Sequence, residues 1–334
     1  MAWIQPDGDS RIVLYSRLDA EGLNVGPTVT ASAAQVAERA EPHLVIMANQ
    51  RIAIVWTERT VSRPSPQVKL SYFNEDDVAV LLEWTVHEDA EDDQTQPQIM
   101  RNFQNGFTVV LVENATSDGG FLRQQRFLAD GSPMEGIKTM SPRGESYGTR
   151  LVARSTLEGF AVICWVRSTS AFTGRFGQVG DIIGEPVGDV YATEGGVLAT
   201  CDIDESGAYV VAHAVPGPDG VTLVRTREYE PDGALVAERL REDLLPEIQA
   251  RQLDIALLPD GGSWVLALLT EAHVERLLVL ASGQDSPWSC PVAATSSITA
   301  VSLSKTSAHV VAGLGVQTGA TTLLDTTILA PDSW

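Results

Sequence analysis

One short phrase recurs along the chain at a nearly constant distance, and that distance limits the fold more than any other feature. RLDAEGLNVG (17–26), RFLADGSPMEG (126–136) and REYEPDGALVAE (227–238) share a form: an alternating run, an acidic residue, a Gly, then a short apolar return. GDIIGEPVG (180–188) and LASGQDSPW (280–288) are looser copies, and SYFNEDDVAV and TTLLDTTILAPDSW carry Asp77 and Asp332 in the place of the Gly. The marks Gly22, Asp77, Gly131, Gly184, Gly233, Gly283 and Asp332 stand 55, 54, 53, 49, 50 and 49 residues apart. A fixed period of about fifty residues is the signature of a repeat architecture.

Each period has inner structure. About thirty residues before each later mark comes a run that is apolar almost throughout: 51–58, 106–113, 159–166, 208–215, 263–270 and 308–316. Short runs rich in Val and Ile, bounded by Gly and Asp, read as buried strands. Shorter apolar runs precede them at 44–47, 150–153, 197–200, 254–258 and 299–303, and turns such as SDGG (117–120) and GPDG (217–220) follow. A Gly after Asp supplies the positive φ of a tight hairpin. One period is therefore four antiparallel strands, with the recurrent phrase as the hairpin between the third and the fourth, which describes a propeller blade. The expectation is an all-β chain, residues 1–334 forming a single β-propeller of seven four-stranded antiparallel blades, with six as the alternative. The alignment starts the chain in a second strand and ends it after a third, which predicts adjacent termini at the ring closure. Helix-like sequence is confined to 33–41 and 241–253, the latter interrupted by Pro246.

A chain of 334 residues can bury roughly three quarters of its unfolded surface, so it needs no covalent staples. Its cysteines, Cys164, Cys201 and Cys290, suggest no disulfide framework, and Cys164 reads as a small core residue. The formal net charge of −21 repels nucleic acid and anionic membranes. No apolar run is long enough for a membrane span, and no basic-then-apolar leader opens the sequence. The expected location is cytoplasmic, or carried on a virion-like particle. Asn114-Ala115-Thr116 is treated as a chance glycosylation pattern.

No segment carries a known catalytic spacing: GxSxG, HExxH, a P-loop and a strand-borne GxGxxG are all missing. PDGGSW (259–264) resembles the Asp box of sialidases only loosely. The five histidines, His43, His87, His213, His273 and His309, share no zinc-binding spacing, and His213 reads as a core residue. The acidic clusters at 74–77 and 88–93 lack a calcium-loop pattern and read as solvated surface that protects sheet edges. No metal or cofactor is expected. Trp3, Trp56 and Trp165 fall near the ends of second strands and read as packing between blades. Trp84 and Trp288 lie near fourth strands and are the weak binding candidates.

The period resembles the repeat of large bacterial surface and secreted adhesin-type proteins. In those proteins a Gly-apolar-Trp strand precedes an Arg-Phe-Asp-x-Asp-Gly-x-Pro-x-Gly hairpin, and GFAVICWV and RFLADGSPMEG match best here. That resemblance implies an adhesive or assembly propeller. The expected function is a non-enzymatic interaction module: a structural, attachment or decoration component of a larger assembly such as a phage-like particle. Its partners would be other proteins of that assembly or a cell-surface glycan. Two alternatives are a carbohydrate-binding lectin and a hydrolase with an axial site. The sign of the last would be carboxylates and an Arg or His converging at the channel, with perturbed pKa values.

Overall fold

In a second strand that is apolar almost throughout, alternate side chains must find cover on opposite faces. A computed structural model of the chain shows how they do so. It describes all residues except 20–22, 34, 89–91, 116–118, 141–146, 168–169, 178–181, 191–197, 217–221, 242–248, 258–263, 272–275, 282–287, 292–296, 306–309, 319–320 and 330–334.

The described strands form antiparallel sheets in chain order. The first sheet has three strands, β1 (Ala2–Asp7), β2 (Ser10–Tyr15) and β3 (Val29–Thr30). Five four-stranded sheets follow. The second holds β4 (Glu38–Ile46), β5 (Ile52–Thr60), β6 (Arg63–Phe73) and β7 (Ala79–Thr85), and the third β8 (Asp93–Arg101), β9 (Phe107–Ala115), β10 (Gly119–Phe127) and β11 (Lys138–Thr139). The fourth holds β12 (Tyr147–Ser155), β13 (Ala161–Arg167), β14 (Ser170–Phe176) and β15 (Ile182–Val190). The fifth holds β16 (Leu198–Ile203), β17 (Tyr209–Pro216), β18 (Thr222–Tyr229) and β19 (Leu235–Arg241). The sixth holds β20 (Gln249–Leu257), β21 (Trp264–Glu271), β22 (Arg276–Ala281) and β23 (Trp288–Pro291). A last sheet has three strands, β24 (Ser297–Lys305), β25 (Val310–Thr318) and β26 (Thr321–Leu329). The fold is all-β and propeller-like, as the fifty-residue period implies.

The cores lie between sheets. Ile52, Ile54 and Trp56 of β5 pack with Val13 and Tyr15 of the first sheet, whereas Ala53 and Val55 pack with Phe107, Val109 and Leu111 of the third. On β9 the opposite residues, Val110 and Val112, join Ile163 and Trp165 of β13, and Val162, Cys164 and Val166 turn to Cys201 and Val211 of the fifth sheet. Trp56 is fully buried and Trp165 is buried and stacked on Phe172 at 5.5 Å, while Trp3 is half-buried. Trp56 and Trp165 are packing residues. Cys164 and His213 are core residues as well.

The recurrent hairpin has a mechanical role. Tyr15 and Arg17 of the first sheet's edge clasp Asp77, the turn residue of the second sheet, with Tyr15 Oη at 2.8 Å and Arg17 Nη2 at 2.8 Å from Oδ1. One sheet on, Tyr72 Oη and Arg51 Nη1 donate to the Ala129 carbonyl in the next turn at 2.7 and 2.9 Å. Arg175 of β14 donates to the Pro231 carbonyl at 3.0 Å in the same way. These three late hairpins are thus held by the preceding sheet. Burial and the bond to the Asp77 carboxylate raise the Tyr15 hydroxyl well above its ordinary pKa.

The turn residue lies at positive φ in every described hairpin of this kind: 60° at Asp77, 85° at Gly131 and 90° at Gly233. Asp77 replaces Gly because its carboxylate, not empty space, receives the clasp. At Gly131 a Cβ would stand 2.9 Å from the Tyr72 ring and 3.0 Å from Leu81. Gly131→Ala is expected to lose about 1–3 kcal/mol in urea unfolding. An unchanged midpoint would show that the clasp does not constrain this turn.

Three sequence expectations are corrected. Segment 33–41 is not helical: from Glu38 onward it is β4, because Arg39 is drawn into ion pairs with neighbouring strands and nine residues cannot sustain a helix alone. The 241–253 stretch likewise enters β19 and β20, with 242–248 outside the described residues. Gly184 is not the turn residue of its hairpin; it sits within β15 at φ 70°, where the β14–β15 register shifts. Gly22, Gly283 and Asp332 lie outside the described residues.

Candidate functional site

The opening strands of successive sheets lie side by side, β4 against β8, β8 against β12, β12 against β16, β16 against β20, and β20 against β24. They belong to different sheets, so no backbone ladder joins them, and polar side chains bridge the gaps instead. Gln98 Oε1 accepts the Ala153 N–H at 3.0 Å, Ser155 Oγ accepts the Arg101 N–H at 2.9 Å, and Asp202 Oδ2 accepts the Leu257 N–H at 2.8 Å. This explains why otherwise apolar strands carry polar residues.

One group does more than bridge neighbours. Arg154 of β12 passes over β16 to reach Asp254 of β20, with Nη2 2.9 Å from Oδ1 and 3.1 Å from Oδ2. Asp254 is 1% exposed and also accepts from Thr200 Oγ1 at 3.0 Å, the Leu303 N–H at 2.8 Å and the Ile255 N–H at 3.1 Å. A carboxylate with this many donors is held in one orientation. It anchors Arg154, where burial works against the charge but Asp254 and Asp202 outweigh it and keep the guanidinium above its ordinary pKa. Asp254→Asn is expected to cost about 2–3 kcal/mol in chemical denaturation, because a charged acceptor is lost beneath a half-buried cation. Wild-type stability in that variant would show that Arg154 needs no counter-charge.

A second group lies towards the starts of the same strands. β4 and β8 are bulged there, and Glu41 and Gln96 sit in the bulges at φ 55° and 53°. Glu41 Oε2 accepts the Gln96 N–H at 2.9 Å. The Glu41 side chain is exposed, yet the protein around it dehydrates the carboxyl and raises its pKa; the Gln96 bond offsets this only in part. Bulges commonly re-aim a side chain beside an active site. At the other end of β8 stands Arg101, close in potential to Glu205.

The remaining polar clusters are internally paired. Glu58 is held by Arg39 at 2.8 Å and by Gln35 at 3.2 Å beside a shallow cleft of about 250 Å³. Glu113 is held by His87 at 2.8 Å and Arg123 at 2.9 Å. Among the described residues no cluster of His, Cys, Asp or Glu is arranged to hold a metal ion.

Of the two tryptophans singled out by sequence, Trp84 is half-buried with its ring edge-on to Phe127 at 5.3 Å, packed on the core between the second and third sheets. Trp288 opens β23 opposite Val279, and its side chain lies outside the described residues. Neither belongs to the opening-strand row. The sequence carries a signal for the row. Arg101, Arg154 and Asp202 each stand five residues before a Gly of the first hairpin (Gly106, Gly159, Gly207), and Asp254 is a lone charge in DIALL.

Neither a family model nor a curated protein sequence matches the chain. Solved structures do. The chain is similar to the polysaccharide lyase Uly1 (TM-score 0.55, 9% identity, covering 98% of this chain and 89% of that one). It is similar to the α-L-arabinanase of Penicillium chrysogenum complexed with arabinobiose (TM-score 0.53, 10% identity, 87% and 93%). It is also similar to an α-L-arabinofuranosidase of Fusarium graminearum (TM-score 0.52, 9% identity, 88% and 94%). At this identity the likeness is one of fold. It overturns the expectation of a non-enzymatic attachment or virion module, since these structures of the same fold bear the names of carbohydrate-active enzymes. That expectation rested on missing linear motifs, and a propeller assembles its polar groups from strands fifty residues apart, where no linear motif forms.

Proposed function

We propose that the chain is a carbohydrate-active enzyme that binds a glycan along the row of opening strands and cleaves a glycosidic bond there. The carrying observation is the convergence of charged side chains from separate sheets on one row, with Arg154 fixed by Asp254 and a dehydrated Glu41 near the strand starts. Glu41, protonated to higher pH than an ordinary glutamate, is the proton donor to the departing glycosidic oxygen. Arg154 is a preset cation for a negative or electron-rich group of the glycan. The enzymes of similar fold support this assignment. The test is a screen of the purified chain against a polysaccharide panel. It would follow both new reducing ends, the mark of hydrolysis, and ultraviolet-absorbing unsaturated ends, the mark of elimination. Cleavage of at least one polysaccharide is expected; none on a broad panel would overturn the proposal.

For the architecture we infer seven blades closed into a ring, with the first and last three-stranded sheets adjoining. The fifty-residue period and the sheet order support it. Fluorophores placed on the first and last sheets should report a short separation, and a separation of the order of the whole molecule's width would defeat closure.

A further inference from the structure

In an acidic chain, a sheltered arginine almost always finds a carboxylate. The sequence holds 44 Asp and Glu against 23 Lys and Arg. Arg17, Arg39, Arg123, Arg126 and Arg154 each have a carboxylate oxygen at 2.5 to 2.9 Å. Arg175 ends on the Pro231 carbonyl instead, and Arg101 is different again. It closes β8, is half-buried, and is pinned at two points: its N–H on Ser155 Oγ at 2.9 Å, and its Nε on the Ile46 carbonyl. With Nε spent on β4, its two terminal nitrogens have no hydrogen-bond partner among the described residues. The nearest acidic influence is Glu205, whose Oε2 is engaged by the Leu157 N–H at 2.9 Å. Burial therefore pulls the Arg101 pKa below its ordinary value and Glu205 restores it only in part.

A guanidinium held by its neck, with its outer edge unpaired and its charge penalised by burial, is arranged to receive an anion from outside. The flat pair of Nη groups fits the two oxygens of a carboxylate. On the next opening strand Ser155 holds the position of Arg101, and Arg154, one residue earlier and facing the following sheet, has its charge already answered by Asp254. We propose that Arg101 is a specificity-determining site that takes the carboxylate of an acidic sugar, so that the glycan bound along the row contains uronic acid units. This rests on the carbohydrate reading above and narrows it. Five residues of β4 separate Glu41 from Ile46, roughly 16 Å of extended strand. Arg101 therefore grips the chain at a distance from the proton donor, and acts on binding rather than on bond breaking.

The test is calorimetric binding of the full chain to uronate oligosaccharides built on galacturonate, glucuronate or mannuronate, each beside its methyl ester, which keeps the sugar and removes the charge. At least one acid form is expected to bind tenfold or more tightly than its ester, and Arg101→Met is expected to erase that preference. Arg101→Lys keeps the charge without the fork and should restore part of it; its thermal midpoint beside wild type guards against misfolding. In turnover, R101M should raise KM for the acidic glycan with little change in kcat. Equal binding of acid and ester, or a preference that survives R101M, overturns the anion site while leaving the carbohydrate reading intact. Failure to bind any glycan, acidic or neutral, overturns both.

Discussion

Replacing Arg39 with methionine is expected to lower the stability of the chain by about 3–5 kcal/mol, the largest loss from any single side chain considered. Arg39 is fully buried, with Nε 2.8 Å from Glu58 and Nη2 3.0 Å from Glu83. Its remaining donors reach the carbonyls of Arg11 at 2.7 Å and Ala33 at 3.2 Å, so one side chain ties the first sheet and its connecting segment to the second. Methionine fills much of the volume but leaves Glu58, itself 3% exposed, as an uncompensated buried anion. Urea unfolding of R39M checks this, and the double variant R39M/E58Q should recover part of the loss because the stranded charge is gone. If the double variant is no more stable than R39M, the loss comes from packing and the severed carbonyls rather than from the charge.

Glu41→Gln is expected to reduce kcat on the cleaved glycan by about 10²- to 10⁴-fold, the range of a positioned proton donor. The direction of the pH dependence follows from the raised pKa of Glu41. Its protonated form is the active one, so wild-type turnover is full below that pKa and declines as pH rises through it. The variant should lose this limb of the profile. Folding behaves in the opposite sense to a depressed carboxylate: the ionised form is the disfavoured one, so Glu41 costs stability as pH rises. E41Q, whose amide oxygen can still accept the Gln96 N–H, should be at least as stable as wild type at neutral pH. Lost activity with retained stability identifies a chemical role. Unchanged activity would remove Glu41 from the mechanism.

The expectations differ in how far they reach. The second strands were legible because burial on both faces leaves them a continuous apolar stretch: 51–58 in sequence became Ile52–Thr60, and 106–113 became Phe107–Ala115. The helix-like segment at 33–41 was misread because local preference there is weak and the Arg39 ion pairs, formed with residues nineteen and forty-four positions away, override it. Trp84 drew notice as an aromatic outside the second strands, yet Phe127, 43 residues on, covers it. The opening-strand charges were in view, and their meaning was not. Asp254 in DIALL looks like a lapse in an apolar run until Arg154, a hundred residues earlier, is seen to reach it.

By itself the sequence determined the period, the strand pattern within it and the hairpin that ends each repeat, because these depend on alternation, turn chemistry and neighbours a few residues away. Tertiary structure alone decided which polar residues answer one another. The pairs Arg39–Glu58, Arg17–Asp77 and Arg154–Asp254 join separate strands or sheets, and the absence of such a pair at Arg101 among the described residues is visible only in the folded chain. An ion pair is a matter of a few ångströms in space, and a repeat that brings the same strand position of every unit to one row makes distant residues neighbours without leaving a linear trace.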